Sequence, residues 1–166
     1  MIHVLAAGAL LLLAPAAHAL HLDRTLALAA PPARAWAVLT DYAGMPAFIR
    51  SMVSSTELER SGGKALVAQV AEGRLLFFSR RLTVVLRVRE DRERTIAFED
   101  VSHASFVSYR GSWTVSPAGA GAVLRYVLDA EPSFWLPGFL LDAFVRHAVD
   151  DLLDEVRVEI LRRAAT

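Results

Sequence analysis

Cysteine is absent from all 166 residues, which excludes disulfides, thiol nucleophiles and thiolate metal sites together. Stability must therefore come from packing. Net charge is absent as well: 18 Lys and Arg balance 18 Asp and Glu, so nothing draws the chain in bulk to nucleic acid or anionic lipid. The apolar run from Val4 to Ala14 is well short of the roughly 20 residues that a membrane-spanning helix needs. Internal repeats and low-complexity linkers are missing too. The stretch PPARAWAVLTDYAGMPAFIRSM, residues 31–52, carries none of the clustered His, Cys or paired carboxylates that announce chemistry.

What is present begins with MIHVLAAGALLLLAPAAHA, an apolar run, a helix-breaking Pro15 and small residues at Ala17 and Ala19. That is the pattern of a secretory signal peptide cleaved after Ala19, although its start has no Lys or Arg. The expectation is an exported, periplasmic protein. Removing nineteen residues from 166 leaves 147, residues 20–166, enough for one domain with one core. All the charged residues lie in this part, so it stays formally neutral.

Residues 21–28, HLDRTLAL, alternate as a half-buried strand with Leu22, Leu26 and Leu28 on one face, and Arg24 falls on that same face. Pro31 and Pro32 suit the first turn of a helix. Ala35, Trp36, Val38 and Leu39 give that helix an apolar side, and Gly44 and Pro46 divide it from a second short one carrying Phe48 and Ile49. Asp41 reads as a cap rather than a general base. From Ser51 the period switches to two for about eighty residues, with turns at SGG 61–63, EDRER 90–94 and PAGAG 117–121. LLFFSRRLTVVLRVRE, residues 75–90, reads as one strand with Leu76, Phe78, Leu82, Val84, Leu86 and Val88 on its apolar face and Arg80 the exception there. Val107, Tyr109, Trp113 and Val115 follow as an inward set, with Gly111 where a bulge or a close neighbour excludes a side chain. Leu124, Tyr126 and Leu128 come next. A long helix from about Phe139 to Arg163 then carries the stripe Leu141, Val145, Ala148, Leu152, Val156 and Ile160, widened by Phe144, Val149 and Leu153. This order is α+β, a curved antiparallel β-sheet wrapped around one long C-terminal α-helix, with two short helices after the first strand.

The segment WAVLTDYAGMPAFI, followed after a meander by YRGSWTVSPAGAGAVLRYVLDAEP, resembles the polyketide cyclase/dehydrase-like and coenzyme Q-binding START-type branch of the START-related superfamily. The resemblance covers most of residues 20–166. It implies a helix-grip fold with an apolar tunnel between sheet and C-terminal helix. Carriers of that group bind lipids or isoprenoid quinones; cyclases and aromatases guide a polyketide chain. A shared fold does not choose between them.

Phe78, Tyr109, Trp113, Tyr126, Phe144, Val145, Ala148 and Leu152 either line such a tunnel or fill a solid core, since both use the same residue types. Arg80 either orients a ligand carbonyl or carboxylate from inside the cavity or turns outward at a strand end; Arg24 poses the same choice. Asp100, His103 and Ser105 lack a nucleophile elbow and read as turn residues. His147 with Asp150, Asp151 and Asp154 reads as surface charge pairing, with no metal site expected. Phe134, Trp135 and Phe139 are denser in apolar bulk than a loop requires, and either pack over the sheet end or touch a membrane surface transiently as a portal lip. The reading is a monomeric binding protein for a hydrophobic small-molecule ligand, with no cofactor and no nucleic acid partner. Its rival is a cyclase, aromatase or dehydratase acting in the same cavity.

Overall fold

The computed structural model describes residues 19–75 and 78–166, with Leu75 and Phe78 described by backbone alone. The leader expected at residues 1–19 lies outside them but for Ala19. In chain order the elements are β1 (Leu20–Leu28), α1 (Pro32–Leu39), a 3-10 segment (Tyr42–Ala47), β2 (Met52–Ser61), β3 (Lys64–Leu75), β4 (Phe78–Asp91), β5 (Thr95–Asp100), β6 (Phe106–Ala118), β7 (Gly121–Pro132) and α2 (Gly138–Ala164). The seven strands form one antiparallel sheet in the order β1-β7-β6-β5-β4-β3-β2. Five of its neighbour pairs are consecutive hairpins or meander steps; β1 alone pairs out of sequence, with β7. The sheet curves around α2, which is the helix-grip architecture.

Turn chemistry sets most boundaries where the sequence places them. Gly62 and Gly63 adopt positive φ between β2 and β3, and Gly119 does so between β6 and β7, a region without steric cost only for glycine. One boundary differs. The stretch 75–90 divides between two strands: β3 ends at Leu75, which pairs with Phe78 at the start of β4. No Gly, Pro or Asn marks that turn, so the period continues across it unbroken.

The short helices also divide earlier than expected. α1 ends at Thr40, whose hydroxyl donates to the Trp36 carbonyl at 2.9 Å. Asp41 then caps the 3-10 segment by accepting from the Gly44 amide at 3.1 Å. A Cβ at Gly44 would sit 2.4 Å from that carboxylate, so glycine here makes room for the cap instead of breaking a helix.

Within β6 the alternation slips once. Phe106 is buried while Val107 is 55% exposed, and the β6–β7 register shifts between Phe106 and Ser108. An extra residue in one strand inverts the faces on either side of it, so Phe106 takes the inward place expected of Val107. Beyond the bulge, Tyr109, Trp113 and Val115 face inward as read.

α2 is fixed along its C-terminal half by carboxylate contacts to β1 and to the segment between α1 and β2. Asp150 accepts from Arg24 of β1 at 3.1 Å, Glu155 accepts from the Arg50 backbone at 3.1 Å, and Arg163 bridges Glu159 and Asp41 at 2.6 and 2.8 Å. Arg24 thus sits on the apolar face, paired with Tyr126 in register, and reaches past it to the helix surface. It is not a cavity cation.

Candidate functional site

Two adjoining cavities, of about 110 and 150 Å³, lie between sheet and α2. The first sits under α1 and the 3-10 segment, with Val38, Leu39, Tyr42, Met45 and Phe48 in its wall. The second sits under the first half of α2, with Leu141, Phe144, Val145 and Ala148 on the helix side. Ile49, Met52, Gln69, Tyr109, Tyr126 and Leu152 belong to both walls and form the waist where the chambers meet. Among the described residues of either wall none is Asp, Glu, Lys, Arg or His.

The waist is aromatic on its sheet side because period-two alternation in β6 and β7 stacks inward residues across the ladder. Trp113 pairs with Tyr126 in register, and their rings lie 4.3 Å apart. Phe98 of β5 lies 5.8 Å from Tyr109 and 6.2 Å from Tyr126. Gly111 admits this arrangement: a Cβ there would be 2.7 Å from the Phe98 ring and 2.2 Å from the Val127 carbonyl oxygen. The expected exclusion is real, and its cause is a ring and a neighbouring strand. Gly73 of β3 does the same for the helix, since its Cβ would fall 2.2 Å from the ring of Phe144.

Burial raises the Tyr109 hydroxyl above the ordinary tyrosine value and the Tyr126 hydroxyl well above it. At neutral pH both are therefore protonated, so the pair can donate a hydrogen bond but cannot act as a base. Gln69 is the other polar waist residue. Its amide nitrogen approaches Ser55 Oγ at 3.2 Å and Met45 Sδ at 3.4 Å. At the far wall of the first chamber, Tyr42 donates to Glu90 at 2.7 Å; burial and that carboxylate raise the Tyr42 hydroxyl far above its usual range.

Of the residues singled out in the sequence, Tyr109, Tyr126 and Leu152 stand in the waist, Trp113 in the first chamber, and Phe144, Val145 and Ala148 in the second. The Phe78 side chain and Leu76 lie outside the described residues. Arg80 is not in either wall. It has the inward parity of Leu82 and Val84, but it stands exposed near the strand end, its guanidinium 4.0 Å over the ring of Phe134. Period counting finds the face of a strand and not how far the covering helix reaches along it. Gln69 was missed; its only signal is a lone amide in the apolar run ALVAQVA.

The polar candidates elsewhere are occupied in holding backbone. Asp100 accepts from the amides of Val85, Ser102 and His103, and Ser105 Oγ accepts from the Thr83 amide at 2.9 Å. His147 lies 3.5 Å from Asp151 on the surface of α2, and no group of metal-ligating side chains occurs among the described residues. Phe134 enters the wall of the second chamber, whereas Trp135 and Phe139 are 75% and 74% exposed.

The family profile described as "Polyketide cyclase / dehydrase and lipid transport" matches residues 19–166. The chain belongs to that family. Among solved structures, an aromatase/cyclase, Zhui from Streptomyces sp. R1128, is 22% identical with a TM-score of 0.77, over 88% of this chain and 96% of that one. A START superfamily protein from Mycobacterium smegmatis is 15% identical with a TM-score of 0.76, over 86% and 97%. A STAR-related lipid transfer protein fragment from Xanthomonas axonopodis is 16% identical with a TM-score of 0.70, over 84% and 85%. These members of the START-related superfamily share the fold. No curated protein matches this chain.

Proposed function

We propose that this polyketide cyclase/dehydrase and lipid-transport family member encloses a hydrophobic small molecule, a lipid, isoprenoid quinone or similar compound, between the sheet and α2. The observation that carries the reading is a pair of adjoining chambers whose described walls contain no charged side chain. Moving an alkyl or isoprenoid chain from water into such a space gains about 0.8 kcal/mol per buried methylene. Chambers of this size suit a slender ligand, being smaller than the roughly 300–1,000 Å³ usual for drug-sized sites.

The rival, a cyclase or dehydratase, requires a group that takes a proton from carbon within hydrogen-bond reach of the substrate. No described wall residue offers one at neutral pH, because both waist tyrosines are held protonated. Binding is therefore the stronger reading. The loop before α2 supports uptake from a membrane surface: it turns Phe134 into the chamber wall and Trp135 outward, and Trp and Phe suit the depth of lipid head groups. The same reading makes the protein a monomer, exported by the leader at residues 1–19. Native mass spectrometry of protein purified from its own envelope, followed by organic extraction, tests the central claim. A co-purifying apolar compound is expected; protein that emerges empty and takes up no apolar probe defeats it.

A further inference from the structure

Resting on that reading, one flank of α2 bears on how a small molecule reaches the second chamber. Phe144, Ala148, Leu152 and Glu155 stand three or four residues apart and therefore share one side of the helix. Asp150, tied to Arg24 of β1, lies about 140° around the helix from Glu155. The shared side thus turns away from β1, toward β3 and the turn before β2. At one end of this seam Phe144 rests on Gly73. At the other, Glu155, its side chain only 12% exposed, accepts from both the amide and the guanidinium of Arg50. From Phe144 to Glu155 the helix rises about 16 Å, and between those two closures no hydrogen bond or ion pair of the described residues joins α2 to residues 51–72.

Small side chains occupy that interval. Ala148 of α2 and Ser51 of the facing turn both line the second chamber, and both are exposed. Ala71 lines it too, beside the Glu72 amide that donates to the Ser51 carbonyl at 2.8 Å. A side chain that meets the chamber and solvent at once stands at a rim. We infer that the second chamber opens to water through a lateral window bordered by Ser51, Ala71 and Ala148, that apolar molecules in solution exchange there, and that the Arg50–Glu155 pair latches it. Ile49 and Met52, on either side of Arg50 and Ser51, line the waist, so loosening the pair frees the turn that forms one edge of the window. An ion pair with one exposed partner is modest in strength, which suits a closure that must open. The route is separate from the loop of Phe134 and Trp135, which meets the N-terminal end of α2.

Stopped-flow fluorescence of the uncharged fluorophore prodan, in buffer without vesicles, tests this in wild type, Ala148→Trp, Ala148→Leu, Glu155→Gln and Ala148→Trp combined with Glu155→Gln. Position 148 is exposed and Leu is a good helix former, so the Leu variant carries the test if Trp disturbs folding. Filling the window is expected to slow uptake and release together, by more than about half for Trp and by less for Leu, because the main path of exchange is narrowed. Glu155→Gln keeps an acceptor for the Arg50 amide but loses the ion pair, and should speed both steps by up to about fivefold. The combined variant should stay slow. Unchanged rates in the position-148 variants, or a change in one step without the other, overturn the window, and unchanged rates in Glu155→Gln overturn the latch; prodan binding in those cases leaves the hydrophobic site intact. Failure of prodan to bind wild type overturns both the window and the site.

Discussion

At the scale of single residues, Glu159 is buried on α2 and accepts hydrogen bonds at 2.6 to 2.7 Å from Arg162 and Arg163. Hydrogen bonds from Arg162 first, with Arg163 adding, outweigh the opposing effect of burial and bring its carboxyl from the usual 4.5 to about 2. The sign follows from linkage: a lowered folded value stabilises the fold fully above the unfolded value, and that contribution is lost as pH falls toward the folded one. The stability gap between wild type and Glu159→Gln, measured by denaturant unfolding, is expected to be constant above about pH 5 and to close as pH drops from about 4.5 to 2. A gap that stays constant to pH 2 would mean that Glu159 acts by packing alone. Asp41 meets the same network through Arg163 and also caps the 3-10 segment. Asp41→Ala should cost about 1 kcal/mol for the cap, and Gly44→Ala should reproduce much of that loss because its Cβ occupies the place of the carboxylate. Thermal melts of the two variants and their double mutant check this: the double mutant should be little worse than either single one, and additive losses would contradict a shared cause.

At the scale of elements, α2 is held unevenly. Ion pairs and hydrogen bonds to Arg24, Arg50 and Asp41 all involve residues 150–163, whereas the first half rests on apolar packing over the second chamber. One contact there is unusually close, Phe144 on Gly73. Gly73→Ala should force the Phe144 ring aside and destabilise the fold by about 1–3 kcal/mol, the usual cost of overpacking. Combining it with Phe144→Leu should recover part of the loss, because the ring is the obstacle; a double variant as unstable as the sum of the two would place the strain in the strand backbone. The edges of the sheet are also managed by sequence. β2, an edge strand with Val53 and Leu58 about half exposed, shifts register twice against β3, and such irregularities discourage pairing with another chain.

At the scale of the whole molecule, the proposed portal places ligand entry and membrane contact together in the loop that joins β7 to α2. Arg80 of β4 stacks on Phe134 from outside, so it belongs to the rim and not to the ligand. Arg80→Met is expected to leave equilibrium affinity for an apolar probe unchanged while speeding both uptake and release about two- to fivefold, the worth of one exposed cation–π contact; stopped-flow fluorescence separates rates from affinity, and a fall in affinity with unchanged uptake would return Arg80 to the binding site. Trp135→Ser in residues 20–166 should abolish or sharply reduce co-sedimentation with vesicles, since it removes the largest exposed aromatic of the loop. Vesicle binding by neither protein would sink the membrane-portal proposal.

The sequence by itself determined the strand and helix order, the glycine turns at 61–63 and 117–121, the inward set of β7 and the buried stripe of α2 apart from Ala148, which is exposed, because each is written in local periodicity and turn chemistry. It also carried the family resemblance and, through Tyr109, Trp113, Tyr126, Phe144 and Leu152, much of the chamber wall. Other features were decided only by tertiary structure. The hairpin at Leu75 and Phe78 has no turn residue to announce it, and the bulge at Phe106 is a property of the β6–β7 ladder. Arg24 and Arg80 share the same parity signal, yet one is drawn to Asp150 and the other left at the rim by the position of α2. Periodicity assigns a side chain to a face; whether that face meets a core, a cavity or solvent depends on what packs across from it. That is why the container was legible in the chain, while the placing of Tyr109 and Tyr126 in the walls of both chambers required the fold.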